Sequence, residues 1–332
     1  MATRNALVTR IILVMTALLL GACSTVWQKG AIAPSVTVEG VHTGAEALAY
    51  APDSSLLASG GWDGHVAVWR PDHGEPIRKW KAHEGWVQGL AFLSDRIITG
   101  GFDSELRHWR LDGTLARKQN AGSPVTRLIT HGTYIVTGHQ DGVVRFWNRR
   151  DLSLVREFKI HRRWVTALAS DPVHDTVASS GEDETVFILS LDDNPRRVSN
   201  PPRNVYSLTF SPDGATLFGG AWFDIYRWTL SDAGRAPSAI RTEHWGNIIA
   251  LQYVQRAGGL ATLSRTNDSS VLFVDPNTGV TIQHFERQSI CGGALSLSPN
   301  GLRMATTGDD GIVRMWNLAA SIAPPQKTAR LD

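Results

Sequence analysis

A segment of about forty residues recurs along most of the chain, and this repeat constrains the fold more than any other feature. Two degenerate copies end at Leu189 and Val274, which brings the total to seven copies. A unit this small cannot bury a core alone, so neighbouring copies must pack against one another. The repeat therefore predicts seven similar units that share their cores. The other five copies end at Trp69, Trp109, Trp147, Trp228 and Trp316.

Each copy contains short apolar segments separated by turns in the same order. An apolar stretch such as 87–92 comes first, and a turn such as Ser211-Pro212-Asp213-Gly214 follows. A β-branched segment, a second turn such as Asp141-Gly142 and a strand ending in tryptophan complete the copy. Proline and glycine at these turn positions favour a type I turn, and Asp-Gly favours a hairpin. This order predicts an all-β fold in which each copy is a four-stranded sheet, the blade of a propeller.

Over about 36–317 these repeats resemble the WD-repeat (WD40) β-propeller family. The resemblance implies a seven-bladed ring, closed by an N-terminal strand that pairs with the last blade. The segment 35–38 is a good strand candidate, whereas the chain after Trp316 soon reaches Pro324-Pro325. We therefore expect the propeller to cover 35–317 and to leave 318–332 as a flexible tail.

The resemblance also implies a buried hydrogen-bond relay in each blade. In the family it joins a histidine before the first strand, a serine or threonine, an aspartate and the final tryptophan. The same groups recur in several blades, which favours a structural role over the alternative, a catalytic His/Asp pair. Blade three has no histidine before its first strand, and blade five has Trp222 in the aspartate position. Blade six offers His244 and Asp268 but ends in Val274. The relay residues predicted are His42, Ser59, Asp63 and Trp69; His83, Thr99, Asp103 and Trp109; Thr137, Asp141 and Trp147; His161, Ser179 and Asp183; and Thr306, Asp310 and Trp316.

The N-terminus predicts export and lipid attachment. Arg4 and Arg10 flank an apolar run that is too short to span a bilayer and is typical of a signal peptide. The sequence Leu20-Gly21-Ala22-Cys23 resembles the lipobox of bacterial lipoproteins, in which the cysteine is acylated. The resemblance implies a signal peptide at 1–22, a lipidated tether at 23–34, and a preference for the outer membrane from Ser24. The alternative is an ordinary signal peptide with Cys23 incidental.

Charge and cysteine content exclude two further classes. Without residues 1–22, which contain two arginines and no acidic residue, basic and acidic residues balance at 31 each. This balance gives no support for nucleic-acid binding. With Cys23 acylated, Cys291 is the remaining cysteine, so no intramolecular disulfide is expected.

Motifs that would indicate chemistry are missing from the sequence. It has no His-Glu-x-x-His or paired-cysteine metal site, no Gly-x-Ser-x-Gly elbow and no phosphate-binding loop. We therefore expect neither catalytic residues nor a cofactor or metal. The alternative is a periplasmic propeller enzyme or small-molecule sensor that uses the central channel.

Aromatic and basic residues predict a partner-binding face. In WD-repeat propellers the residue before the first strand and the residue before the turn aspartate often face partners. Here these positions include four large aromatic residues, and exposed tryptophans are frequent in interface hot spots. A basic run through blades three and four, from Arg145 to Arg163, predicts a second contact, although a solvated outer face is the simpler reading. The predicted partner-binding residues are Trp62, Trp86, Phe102, Trp164, Arg162 and Arg163.

These features together predict a non-enzymatic scaffold. We expect a monomeric ring, anchored to the membrane through the lipid on Cys23, that faces the periplasm and binds protein partners in the cell envelope.

Overall fold

The computed structural model describes residues 30–322 except Glu75 and Ala233. These residues form seven antiparallel sheets of four strands each. β1 is Val36–Val38. Blade one contains β2 (Ala45–Tyr50), β3 (Leu57–Gly61), β4 (His65–Trp69) and β5 (Pro76–Lys81); blade two contains β6 (Val87–Phe92), β7 (Arg96–Gly101), β8 (Glu105–Arg110) and β9 (Leu115–Asn120); and blade three contains β10 (Val125–His131), β11 (Tyr134–His139), β12 (Val143–Asn148) and β13 (Leu154–Lys159).

The remaining blades follow the same order along the chain. Blade four contains β14 (Val165–Asp171), β15 (Thr176–Gly181), β16 (Val186–Leu189) and β17 (Arg196–Arg197); blade five contains β18 (Ser207–Phe210), β19 (Thr216–Gly220), β20 (Asp224–Thr229) and β21 (Ser238–Arg241); blade six contains β22 (Asn247–Val254), β23 (Gly259–Arg265), β24 (Val271–Val274) and β25 (Thr281–Phe285); and blade seven contains β26 (Gly292–Leu297), β27 (Arg303–Gly308), β28 (Val313–Asn317) and β1. The degenerate copies ending at Leu189 and Val274 are thus blades four and six.

The blades form a closed ring, as predicted. The first strand of each blade contacts the first strand of the next, and β26 of blade seven contacts β2 of blade one. The N-terminal strand closes the ring, because β1 pairs with β28, with Val36 opposite Met315 and Val38 opposite Val313. The last blade therefore contains both ends of the repeat region, and its outer strand comes from the N-terminal side.

The buried core lies between the blades. The described residues contain seven apolar clusters, and each combines residues of two neighbouring blades, with one cluster at each boundary. Every first strand also carries a leucine at the same register position, opposite the relay hydroxyl in all blades but blade five, which has Gly219 there. These leucines are Leu48, Leu90, Leu128, Leu168, Leu208, Leu251 and Leu295.

Residues on either side of 35–317 also pack against the ring. Ile32 forms a parallel bridge with Phe285 of blade six. After β28 the chain forms a short helix, Leu318–Ser321, and both Leu318 and Ile322 are buried in the cluster between blades six and seven. Burial of these apolar side chains stabilises the boundary at which the chain enters and leaves the ring.

The relay forms as predicted in blades one and two. In blade two, Trp109 Nε1 donates to Thr99 Oγ1 over 2.9 Å, and His83 contacts Thr99 through Nε2 at 2.7 Å. His83 Nδ1 lies 2.8 Å from Asp103 Oδ1. A carboxylate only accepts, so Nδ1 carries the proton and Nε2 accepts from the hydroxyl. Blade one repeats this geometry with His42, Ser59, Asp63 and Trp69.

Blades four and six contain the relay without its tryptophan. In blade four, His161 contacts Ser179 at 3.0 Å and Asp183 at 3.1 Å. In blade six, His244 contacts Asp268 at 3.3 Å and Thr262, a hydroxyl that the sequence analysis had not singled out, at 2.7 Å. Leu189 and Val274 fill the tryptophan positions with buried apolar side chains, so these blades replace a hydrogen bond by packing alone.

In blades three and seven the relay hydroxyl is contacted by a residue other than a histidine before the first strand. In blade three, His139 on β11 contacts Thr137 Oγ1 at 2.6 Å, while Asp141 pairs with Arg145 instead of a histidine. In blade seven, Gln288 donates to Thr306 at 2.6 Å and Asp310 pairs with Arg314 at 3.0 Å. The prediction that Trp316 joins this relay is wrong, because its Nε1 donates to the carbonyl of Ile32. The N-terminal segment lies beside this indole and provides its hydrogen-bond acceptor.

Removal of a relay hydroxyl should destabilise the fold. Thr99→Val keeps the shape but leaves Trp109 Nε1 and His83 without their shared partner inside the core, so we expect a loss of about 1–3 kcal/mol in the free energy of unfolding. Urea denaturation measures this loss. Thr43→Val, at an exposed threonine, is the control and should change stability by less than about 0.5 kcal/mol. Equal stability of the two variants would contradict a structural relay.

Another buried histidine, His108, has no hydrogen-bond partner at either ring nitrogen among the described residues. Burial is the main reason that the pKa of His108 is lowered to about 4, and Arg96 and Arg117 add to it. The unfolded chain therefore binds a proton near pH 6.5 that the folded chain excludes until about pH 4. The position is apolar in most other blades, for example Ile188 in blade four.

His108→Ile should therefore stabilise the protein, and most strongly in acid. The free energy of unfolding of the wild type decreases as the pH falls from about 6.5 to 4, because the unfolded chain binds a proton at His108 that the folded chain does not. The variant has no titrating group at this position, so it does not lose this stability. Denaturation midpoints at pH 7.5 and pH 5 test this expectation. A stability gap between variant and wild type that stays constant between the two pH values would show that His108 does not titrate as described.

Candidate protein-binding face

The upper face of the ring carries two kinds of loop in each blade. One joins the outer strand of a blade to the first strand of the next, and the other is the turn between the second and third strands. A backbone hydrogen bond ties these loops together, for example from Phe102 N to Trp86 O at 2.9 Å and from Trp62 N to Gly44 O at 2.9 Å. The two sequence positions predicted to face partners are therefore neighbours in space within each blade.

The four predicted aromatic residues form one continuous row on this face. The Trp62 and Trp86 rings stack with centroids 5.2 Å apart. Phe102 lies 5.9 Å from Trp86 and 6.0 Å from Trp164, so it connects blade two with blade four across blade three. Trp86 is 44% and Trp164 is 39% exposed, whereas Trp62 and Phe102 are half-buried. We call Trp62, Trp86, Phe102 and Trp164 the aromatic row.

The row is fixed from below. Trp62 lies directly over Gly44, where an added Cβ would stand 2.6 Å from the indole ring. Glycine is therefore needed under the stacked tryptophan, because any larger residue would push Trp62 out of its stack with Trp86. A pre-ordered row loses little side-chain entropy when a partner binds, which favours affinity.

A polar network lies next to the row at the channel mouth. Gln88 Nε2 donates to Glu46 at 3.0 Å, and Arg265 bridges Glu46 and Asp309 at 2.6 and 3.0 Å. Burial raises the pKa of the Asp309 carboxyl, and Arg265 opposes this rise. Burial also acts against the charge of Arg265, yet its two carboxylate partners raise its pKa. The network joins blades one, two, six and seven, and its two carboxylates share one guanidinium.

The predicted basic run does not form one patch. Arg162 and Arg163 are exposed on the upper face directly before Trp164, whereas Arg149 and Arg150 lie in the loop between β12 and β13 on the lower face. Arg145 is buried and pairs with Asp141 and Glu157. Two arginines of the run therefore adjoin the aromatic row.

One exposed aromatic residue on the upper face was missed by the sequence analysis. Trp245 is 64% exposed and directly follows the relay histidine of blade six. It occupies the place that Arg162 has in blade four, so its distance from the preceding histidine could have identified it. No ring of the aromatic row pairs with it among the described residues.

The described residues show little that could support catalysis or metal binding. They contain no group of three or more metal-ligating side chains. On the lower face, His131 contacts Ser170 Oγ at 2.9 Å and Asp175 at 3.0 Å. Asp175 is 88% exposed, so solvent screens its electrostatic attraction to His131. This contact joins blades three and four, and we assign it a structural role.

Comparison with known proteins decides the family. The model of the WD domain, G-beta repeat, matches residues 35–70, 74–110, 114–148, 152–189 and 281–317. The chain belongs to the WD40 repeat family. The unmatched part covers blade five and most of blade six, the blades whose repeat residues depart furthest from the pattern.

Curated relatives resemble the chain at low identity. An F-box/WD-40 repeat-containing protein of Arabidopsis thaliana is 23% identical over 84% of this chain and 57% of its own length. The p21-activated protein kinase-interacting protein 1-like of Gallus gallus is 23% identical over 71% of this chain and 64% of its own. DDB1- and CUL4-associated factor 13 of Danio rerio is 23% identical over 82% and 64%, respectively. The chain thus spans less than two thirds of these relatives.

Proposed function

We propose that this WD40 propeller is a non-enzymatic scaffold of the bacterial cell envelope, which binds a protein partner through the aromatic row. The carrying observation is the row itself, four contacting aromatic rings on one face with two of them more than a third exposed. WD40 propellers generally bind proteins, and the names of two relatives describe an interacting protein and an associated factor.

The surroundings of the row indicate the chemistry of the partner. Arg162 and Arg163 are exposed at its blade-four end and form no ion pair among the described residues. Glu46 and Asp309 at the other end both pair with Arg265. A partner segment with an apolar or aromatic side chain for the row and an acidic residue for the arginines fits this arrangement.

Loss of the row should abolish partner binding without unfolding the ring. In crosslinking and pull-down from membranes, Trp86→Ala/Trp164→Ala should recover at least tenfold less partner, because each hot-spot tryptophan contributes about 2 kcal/mol or more. Trp245→Ala, which removes a more exposed indole from another blade, is the matched control and should bind normally. Circular dichroism verifies folding. Full recovery by the folded double variant would exclude the row as the binding site.

Membrane attachment through Cys23 is the second part of the proposal. Cys23 and Ser24 lie outside the described residues, and no described helix is long and apolar enough to cross a membrane. The support comes from the sequence Leu20-Gly21-Ala22-Cys23, which resembles a lipobox. Each methylene of an acyl chain that enters the bilayer contributes about 0.8 kcal/mol to the free energy of membrane binding.

Removal of the acceptor should release the protein from membranes. Cys23→Ser should lose incorporation of labelled palmitate and leave the membrane fraction, whereas Cys291→Ser should keep both. Ser24→Asp should move the protein from the outer to the inner membrane fraction in a density gradient. Palmitate labelling of Cys23→Ser equal to wild type would refute this anchor.

A further inference from the structure

A chamber of about 1080 Å³ occupies the lower end of the central channel. Its inner end is lined by leucines of the first strands, and its mouth by the turns that follow these strands, such as Ser298–Gly301. Its volume is close to that of cavities that hold small organic ligands. The leucines in the lining are Leu48, Leu90, Leu128, Leu168, Leu208 and Leu251.

The two charged residues of the lining differ in their hydrogen bonds and ion pairs. Among the lining residues that the structure describes, Asp171 and Arg256 carry the only formal charges. Both carboxylate oxygens of Asp171 are engaged, since Oδ1 accepts from Val173 N at 2.9 Å and Oδ2 lies 2.7 Å from His174 Nδ1. Both oxygens of the one carboxylate in the lining therefore already have hydrogen-bond partners.

Arg256 differs, because its positive charge has no partner. It lies in the 3-10 turn Gln255–Ala257 of blade six, and its methylene groups pack along Gly301 of blade seven. No carboxylate forms an ion pair with it among the described residues, and its Nη1 is buried without an acceptor. A buried, unpaired guanidinium nitrogen is costly, so an anion supplied from the chamber would relieve this cost.

Tyr50 of blade one provides a second unused donor. Its ring lines the chamber, the residue is 7% exposed, and its hydroxyl is buried without a partner. Burial raises the pKa of Tyr50, so the hydroxyl remains a neutral donor at physiological pH. Asn300 and Ser298 of the intervening blade seven line the chamber as well, so polar groups cluster at the boundary of blades six, seven and one.

We propose that the lower chamber binds a small organic carboxylate. Its apolar body occupies the space beneath the leucines, its carboxylate pairs with Arg256, and Tyr50 lines the wall on the blade-one side. A rotation of the Arg256 side chain brings its buried Nη1 to the ligand. The site is separate from the aromatic row, which lies on the opposite face.

The test uses 2-naphthoate and its neutral analogue 2-naphthamide with the purified full-length protein, by isothermal titration calorimetry. The acid should bind and the amide should bind at least tenfold more weakly, because the charge-assisted contact requires a carboxylate. Arg256→Gln should weaken naphthoate binding at least tenfold, and Tyr50→Phe should leave it unchanged, because the Tyr50 hydroxyl lies near Arg303 and Asp72. Arg150→Gln, at an exposed arginine of the lower face outside the chamber, is the matched control and should bind as wild type.

Three results would overturn the proposal: no naphthoate binding to the wild type, equal affinity for acid and amide, or undiminished binding to Arg256→Gln. Each would show that Arg256 does not bind a carboxylate in the chamber. The Trp86→Ala/Trp164→Ala variant should retain naphthoate binding, so the outcome here is independent of the proposed partner face.

Discussion

Packing between neighbouring blades is the interaction on which the structure depends. Every apolar cluster in the described residues lies at a boundary between two blades, so no blade has a core of its own. The seventh boundary exists only because the ring closes, and closure places Val38 of β1 in the same cluster as Leu57 and Trp69 of blade one. Pairing of β1 with β28 thus stabilises a boundary as well as an edge.

The common feature of the relay is one buried hydroxyl that needs a hydrogen-bond partner, and the residue that provides this partner differs between blades. Thr137 is satisfied by His139 from its own strand, and Thr306 by Gln288. Blade five lacks the hydroxyl altogether, having Gly219 there, and still packs at both of its boundaries. What this position requires is a partner for its buried hydroxyl, and several side chains can meet this requirement.

The same reasoning explains what the sequence could and could not predict. The number of blades follows from residues that repeat at a fixed spacing, whereas ring closure and the complete relays follow from the resemblance to WD-repeat propellers. His139 was not predicted, although it follows Thr137 by two residues on β11 and therefore lies on the same face of the strand. The basic run is continuous in sequence but does not form one surface. The six-residue strand β13 spans about 20 Å from the lower to the upper face, so Arg149 and Arg163 are far apart. The aromatic positions were predicted, but the contact of Phe102 with Trp164 across blade three was not.

The two faces of the ring differ in chemistry, and the channel wall separates them. The upper face offers aromatic rings and free arginines, whereas the lower chamber offers an apolar wall with one unpaired arginine, Arg256. The leucines of the first strands lie between them, and each first strand packs against a neighbour on both sides. Communication between the faces would require these strands to have a second packing arrangement, since coupling needs two states that both ligands can distinguish. Close packing at seven equivalent boundaries opposes such a change, so a ligand in the chamber and a partner on the aromatic row should bind independently.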